Sequence, residues 1–374
     1  MWTKRNFISI QHSHAIACDS YRALPLRTGY ERVLAHRMND LFAQTAKKDG
    51  KVISVSDTGI VVEYKDGKTD SFVLGRRYGN SAGLTVPHLL TTGLKPGDKF
   101  KFGDTLCFNP SFFEKDIFDP TQVIWKAGIL TKVALLESSD TLEDSSVISR
   151  KIANQCATAI TKVKNVIINF DQSPRKVVKV GTSIKSDDIL CIIENAVTAD
   201  TGLFDDETID TLRVLSAQTP TAKMNGVVER IEVLYHGEKE DMSENLLALV
   251  NQSDKDFAVR AKSISQKPHT GEVDETYRIE GNSLAVNTAC IRFYVTGVVG
   301  MAPGDKGVFS NQLKTVIGRV EEKPIITENG SEVDAIFGST SVYDRIVNSA
   351  FINGTTNTLL KVISQKAAKV YFGT

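Results

Sequence analysis

Five residues have the types and spacing to do chemistry: Lys306, Lys314, Arg345, Glu143 and Asp144. Pro303-Gly304-Asp305 reads as a tight turn, because proline presets φ and glycine supplies φ > 0. The turn throws Lys306 onto the start of a strand. Lys314 follows eight residues later, on an apolar run with Val316 and Ile317. Two lysines held this way act as fixed cations for a phosphate-rich ligand. Glu143 and Asp144 stand in Leu142-Glu-Asp-Ser-Ser-Val-Ile-Ser149, after one strand and ahead of a helix. Adjacent carboxylates there can bind Mg²⁺, directly or through water. The same acids would equally complement the macrodipole at a helix N-terminus. The three cations are also open to reading as ordinary surface charge.

Other chemistries lack their residues. His12-Ser-His14 and His36 have no cysteine or carboxylate at ligand spacing, so no metal site is expected there. The chain has no Walker A loop, no G-x-S-x-G elbow and no G-x-G-x-x-G after a strand.

The elements that must carry these residues are mostly short strands. Residues 51–56, 58–64 and 72–74 read as a meander, with a hairpin turn at Asp66-Gly67. Pro-Gly-Asp-Lys occurs at 96–99 and again at 303–306, two uses of one turn chemistry. Residues 129–136 and 226–234 read as strands. Helical patterning predicts Tyr30 to Thr45, Ser149 to Ile160 and Tyr343 to Ile352. Residues 196–224, with Asp200, Asp205, Asp206, Glu207 and Asp210, and residues 235–275 read as solvated loops or an excursion domain. The fold class expected is mainly β with some helices, α+β.

Composition narrows the partners. The chain has 374 residues, 41 % of them hydrophobic, enough for a sizeable core. Lys+Arg and Asp+Glu are both 45, so the formal net charge is zero. A protein that grips nucleic acid alone is usually basic, so any such contact would be a local patch with partners supplying the field. Five scattered cysteines without C-x-x-C spacing argue against a disulfide framework or zinc knuckle and for a reducing compartment. No stretch approaches the ~18–20 apolar residues of a membrane span, and no targeting signal stands out, so a cytosolic protein is expected.

Read in order, the motifs resemble the C-terminal half of the β subunit of multisubunit DNA-directed RNA polymerase. Asp19-Ser-Tyr-Arg22-Ala-Leu resembles the family's D-A-N-R-A-L, and Thr28-Gly-Tyr-Glu-Arg32 its T-G-M-E-R. Arg76-Arg-Tyr-Gly-Asn80 through Pro96-Gly-Asp98 and Gly103-Asp104 is similar to the segment ending in V-x-x-G-D-x-L. Leu142-Glu-Asp-Ser-Ser-Val-Ile-Ser-Arg150 resembles N-F-E-D-S-I-L-V-S-E-R, and Asp187-Asp-Ile-Leu190 resembles G-D-I-L. Pro303-Gly-Asp-Lys306 with Lys314, then Glu328-Asn-Gly330 and Val333-Asp334, resembles P-G-D-K-x₇-K followed by D-E-N-G-x-P-V-D. Val342-Tyr-Asp-Arg345 resembles V-P-S-R. The chain departs from the family at Gly307-Val-Phe-Ser-Asn-Gln-Leu313, where Ser310 and Asn311 stand for the arginine and histidine of M-A-G-R-H-G-N. It also skips a block after Leu24, lacks the front half of β and stops at Thr374, short of most of the clamp segment. This reduced form is similar to the split β of giant tailed phages.

The resemblance implies a double-psi β-barrel core with a wall or flap excursion. Residues 1–150 would hold the first part of the barrel region with the acidic pair, 151–285 the reduced wall or flap, and 286–374 the remaining barrel with both lysines. It implies that Lys306 and Lys314 lie by the RNA 3′ end and the nucleotide phosphates as catalytic residues. Arg345 and Arg22 would bind the nucleotide, and Glu143 and Asp144 would help place a second Mg²⁺ through water. The catalytic Mg²⁺ would belong to a β′-like partner carrying N-A-D-F-D-G-D, a motif that Ile168-Asn-Phe-Asp-Gln172 is not. Further partners implied are a separate N-terminal half of β, the DNA template, the RNA transcript and nucleoside triphosphates, in the cytoplasm of an infected bacterium or packaged in the virion. Two alternatives remain open: a non-catalytic β-rich interaction protein that kept the fold, and a self-sufficient nucleotidyltransferase, which would need its own carboxylate cluster.

Overall fold

The structure is a computed structural model, which describes residues 2–10, 18–23, 26–81, 84–195, 217–310 and 312–373. His12, His14, Asn311 and the acidic residues from Asp200 to Asp210 lie outside them. The architecture is mainly β with some helices.

Six strands close a barrel: β1 (Trp2–Ile10), β2 (Ile129–Leu135), β3 (Ser145–Ser149), β4 (Lys306–Phe309), β5 (Leu313–Glu321) and β6 (Ala335–Phe337). Their order around the wall is β1-β2-β6-β3-β5-β4. The β2–β6 and β3–β5 pairs are parallel, and the other four are antiparallel. Exchanging β1, β2 and β3 for β4, β5 and β6 maps this pairing pattern onto itself, so the barrel has two topologically equivalent halves. Its core is formed by Val133, Ile148, Phe309, Leu313, Ile317, Ala335 and Phe337. The rings of Phe309 and Phe337 meet at 5.3 Å.

A six-stranded antiparallel sheet stands next to the barrel in the chain. Its central strands are Gly226–His236, Thr288–Val299 and Thr158–Asn169, and Gly75–Ser81 lies at one edge. Val166, Ile168, Ile291, Phe293 and Val295 form its core with Leu246 and Val250 of a helix. A four-stranded sheet holds the meander of residues 50–73 and closes with Lys99–Phe100.

Four sequence expectations are corrected. Tyr30 to Thr45 is not one helix: Tyr30–Val33 is a single turn, Leu34–His36 is 3₁₀, and Ala43–Thr45 is a strand. Asn39 accounts for the break, since its side chain accepts the Leu41 N–H at 2.9 Å and its carbonyl that of Phe42 at 3.0 Å. The helix at Ser149 stops at Gln155, and Thr158 begins a twelve-residue strand paired with Thr288–Val299. β-Branched Thr158, Ile160, Thr161 and Val163 favour the pleated partner over a longer helix. The third helix is two, Ser339–Tyr343 and Asn348–Phe372, broken where Ile346 has φ 53°. The second runs well past Ile352 because Ala350, Gly354 and Asn357 are buried, and packing overrides glycine's low propensity. Finally, residues 235–275 hold a twenty-residue helix, Glu244–Ser263. It buries Leu246, Val250, Ser253 and Ala261, and the Ser253 hydroxyl accepts the Val233 N–H at 3.0 Å, tying the helix to the sheet. Among the described residues no helix is long and apolar enough to cross a membrane.

The barrel core sets the first prediction. Phe337→Ala empties a site 1 % exposed and is expected to cost about 3–5 kcal/mol. Phe118→Ala, at a site 84 % exposed, should change stability by no more than about 0.5 kcal/mol. Denaturant titration of both variants checks the contrast.

Candidate functional site

The turn before β4 is built by its own residues. Gly304 has φ 92°, a conformation open to glycine at little cost. The Asp305 carboxylate accepts the Ala302 N–H at 2.8 Å, and the turn is stitched to β5 by Gly304 N–H to the Ile317 carbonyl at 2.7 Å and Ile317 N–H to the Asp305 carbonyl at 2.8 Å. The earlier Pro-Gly-Asp-Lys repeats the device: Gly97 has φ 92°, and Asp98 accepts the Lys95 N–H at 2.8 Å. The aspartate of each motif is therefore a turn cap, and the lysine after it is released from that task.

Lys306 opens β4, opposite Val316 of β5, and Val308 stands opposite Lys314. Directly opposed residues share a face, and so do residues two apart on one strand. Lys306, Val308, Lys314 and Val316 therefore share the outer face, while Leu313, Thr315 and Ile317 are buried. The two lysines are diagonal neighbours, with backbones about 7–8 Å apart. Neither has a carboxylate at ion-pair distance among the described residues. Other barrel cations do: Lys151 pairs with Asp334 at 3.2 Å, Arg319 with Asp140 at 3.0 Å, and Arg150 with Glu322.

Glu143 and Asp144 precede β3, with φ 49° and 68°. They do not stand at a helix N-terminus; the helix begins at Arg150, with Ser149 as its N-cap. The macrodipole account of the two acids therefore fails. The Asp144 carbonyl accepts the Val316 N–H at 3.0 Å, where the parallel β3–β5 ladder begins. Val316 is thus the meeting point, with the two lysines beside it on the outer face and the Asp144 carbonyl on its backbone N–H.

Arg345 follows the Ser339–Tyr343 helix, and its guanidinium bonds the Asp144 carboxylate at 2.6 Å. These two residues, with Glu137, Glu143, Ser341 and Asp344, line an open cleft of about 420 Å³. Gly338 admits the close crossing beneath it, since a Cβ there would lie 2.5 Å from the Thr141 carbonyl oxygen. Among the described residues, no group of three or more His, Cys, Asp or Glu is arranged to hold a metal ion.

Arg22 is not brought to this cleft. It bridges to Gly128 at the start of β2, and its Nη1 donates to the carbonyls of Asp19 and Tyr21 at 2.9 and 2.7 Å. The cleft lies past the other end of β2, a strand of seven residues that spans about 20 Å. Ser310, in the hairpin between the lysine strands, is buried with φ 51°, and its hydroxyl has no partner among the described residues. It does not present a side chain to a ligand as an arginine would.

Sequence reading missed Glu137. Its carboxylate accepts the Thr340 N–H at 2.6 Å and the Ser339 hydroxyl at 3.2 Å, capping a helix 203 residues away. The Thr340 amide, above all, holds its pKa below the usual glutamate range. The Ser339-Thr340-Ser341 run was a helix-start signal, but nothing in the sequence joined it to Glu137.

Comparison with protein-family models gave no match, and comparison with curated proteins gave none.

The Glu137 cap sets a pH prediction. A carboxyl with a depressed folded-state pKa contributes stability that is present above its unfolded pKa and lost as pH falls through its folded pKa. The Glu137 carboxyl should titrate below the ordinary glutamate midpoint, and the Thr340 amide resonance should move at the same pH. Carbon-detected NMR of the side chain reads the first and an amide titration the second. Glu137→Gln should abolish the coupled shift.

Proposed function

We propose that this chain is a β-like subunit of a multisubunit DNA-directed RNA polymerase, equivalent to the C-terminal half of β. One observation carries the reading. Lys306, Lys314 and Asp144 meet at Val316 although the acid and the lysines lie far apart in sequence, Arg345 reaches Asp144 across 201 residues, and Glu143 lines the same cleft. These are the same residues that the collinear motifs single out. We read the closed barrel as the double-psi type, a reading supported by its two equivalent halves and its crossed parallel pairs.

In this function the two lysines act as fixed cations beside crowded phosphates. Among the described residues their charge has no carboxylate at ion-pair distance, which leaves both ammonium groups open to an external anion. A phosphate-bearing ligand lying over Val308 and Val316 would meet one ammonium on each side. The lysines would position the RNA 3′ end against the α-phosphate of the nucleotide and stabilise charge that develops during transfer. Arg345 offers a guanidinium fork for the triphosphate, but only after exchanging Asp144 for phosphate. Glu143 carries an exposed carboxylate suited to a water-mediated contact with a nucleotide-borne Mg²⁺. Among the described residues the carboxylates do not form a full ligand set, which fits a catalytic Mg²⁺ held mainly by a β′-like partner. When bound, Mg²⁺ would neutralise the attacking and leaving oxygens. Arg22 has no part in this account. The separate front half of β, the template, the transcript and the bacterial cytoplasm or virion follow from the same reading.

A second reading, a non-catalytic interaction protein that kept the fold, is favoured by one observation: Arg345 is already committed to Asp144.

Purification from the native source, followed by nucleotide incorporation, separates the two. Co-elution with a chain carrying N-A-D-F-D-G-D and Mg²⁺-dependent RNA synthesis support the polymerase. In the reconstituted assembly, Lys306→Ala and Lys314→Ala should each slow nucleotide addition by about 10²-fold with assembly intact, the scale of losing one electrostatic stabiliser. Full-rate elongation by both variants would rule the assignment out and leave the scaffold.

A further inference from the structure

A second cavity lies outside the barrel, where the Lys99–Phe100 and Thr105–Phe108 strands meet Lys115 and Val123. We propose that it binds a small monocarboxylate with an apolar body about the size of one ring.

The volume and the lining set the body of the ligand. The cavity holds about 170 Å³, and Phe100, Leu106, Phe108 and Val123 supply apolar walls. An apolar cavity of about 150 Å³ is large enough to take up benzene rather than water. A single ring therefore fits.

The polar groups set the head. Lys99 and Lys115 both line the cavity, and neither has a carboxylate at ion-pair distance among the described residues. Nearby Lys47, Lys48, Lys51 and Lys65 each do, with Asp70, Asp66, Glu63 and Asp49. Asp104 is the one acid on the lining, and its carboxylate already accepts the Lys101 N–H at 2.8 Å. Two lysines against one aspartate leave a single positive charge, which matches a monoanion. Gly93 makes room for the ammonium: a Cβ there would stand 2.9 Å from Lys115 Nζ. Thr105 adds a buried hydroxyl with no hydrogen-bond partner among the described residues. Its oxygen is shielded from the cavity, so the head group is met by the two ammonium groups. An apolar floor with a few convergent polar groups is the general form of a small-ligand site.

This inference does not rest on the polymerase reading. Its test uses the full chain, in whatever assembly it is purified, titrated with benzoate by calorimetry and by saturation-transfer NMR. Benzyl alcohol is the neutral control. Benzoate should bind saturably and more tightly than benzyl alcohol. Lys115→Ala should weaken benzoate by about tenfold or more, the loss of one hydrogen bond to a charged group, and leave benzyl alcohol unchanged. Lys115 is exposed, so the variant should melt with the wild type; Gly93→Ala, which crowds the ammonium, gives an independent second variant with the same expected direction. The proposal is overturned by non-saturable benzoate binding, by equal binding of the two probes, or by Lys115→Ala binding benzoate as the wild type does.

Discussion

The structure depends on an exchange of strands between two halves of one barrel. β3 pairs only with β5 and β6, and β6 pairs only with β2 and β3. The third strand of each half is therefore surrendered to the other. Neither half could satisfy its own backbone, since each keeps a single antiparallel pair, β1–β2 or β4–β5. Buried N–H and C=O groups without partners are too costly to leave open, so closure must be all or nothing. The same exchange carries Glu143 and Asp144, which precede β3, onto the first residues of β5. The site is a product of closure and is not a property of any one segment.

Charge placement follows from where the chain crosses. At the β3–β5 seam and around it, carboxylates and cations from distant segments meet and neutralise one another, as Lys151 does with Asp334 and Arg319 with Asp140. Such half-exposed pairs contribute little to stability. What they do is remove charge from the barrel surface. Against that background, two adjacent lysines on one outer face, without acids, are the exception. Like charges on diagonal neighbours repel modestly, and the fold tolerates this because both ammonium groups reach solvent.

What was legible in the sequence was local. Asp66-Gly67, Pro96-Gly-Asp98 and Pro303-Gly-Asp305 announce their turns through proline and glycine backbone preferences, and the strands 129–135 and 226–236 through apolar β-branched runs. Lys306 stands beside such punctuation, whereas Lys314, Glu143, Asp144 and Arg345 were singled out by the order of motifs they share with the resembled family. Helix lengths were not legible. Asn39 ends one helical pattern with a side-chain hydrogen bond, whereas Gly354 and Asn357 fail to end another because they are buried. Propensity is the weaker influence in all of these, and packing decides. Glu137 was beyond reach for a different reason: its partners are 202 and 203 residues away, and no spacing rule connects them.

The position of the site at the seam between the halves links its chemistry to its order of folding. The β4–β5 hairpin is local, and it brings Lys306 and Lys314 together whether or not the rest of the barrel has formed. The acids and Arg345 are not local. Asp144 reaches Val316 only once β3 has entered the second half, and Arg345 reaches Asp144 only once β6 has entered the first. Long-range parallel pairs close late, because the loop entropy must be overcome before any contact rewards it. The lysine pair therefore depends on a local hairpin, and the acid cleft on long-range closure of the barrel. Only the closed barrel brings Asp144 to the Val316 backbone and Arg345 to the Asp144 carboxylate, so this cluster is complete only when the fold is.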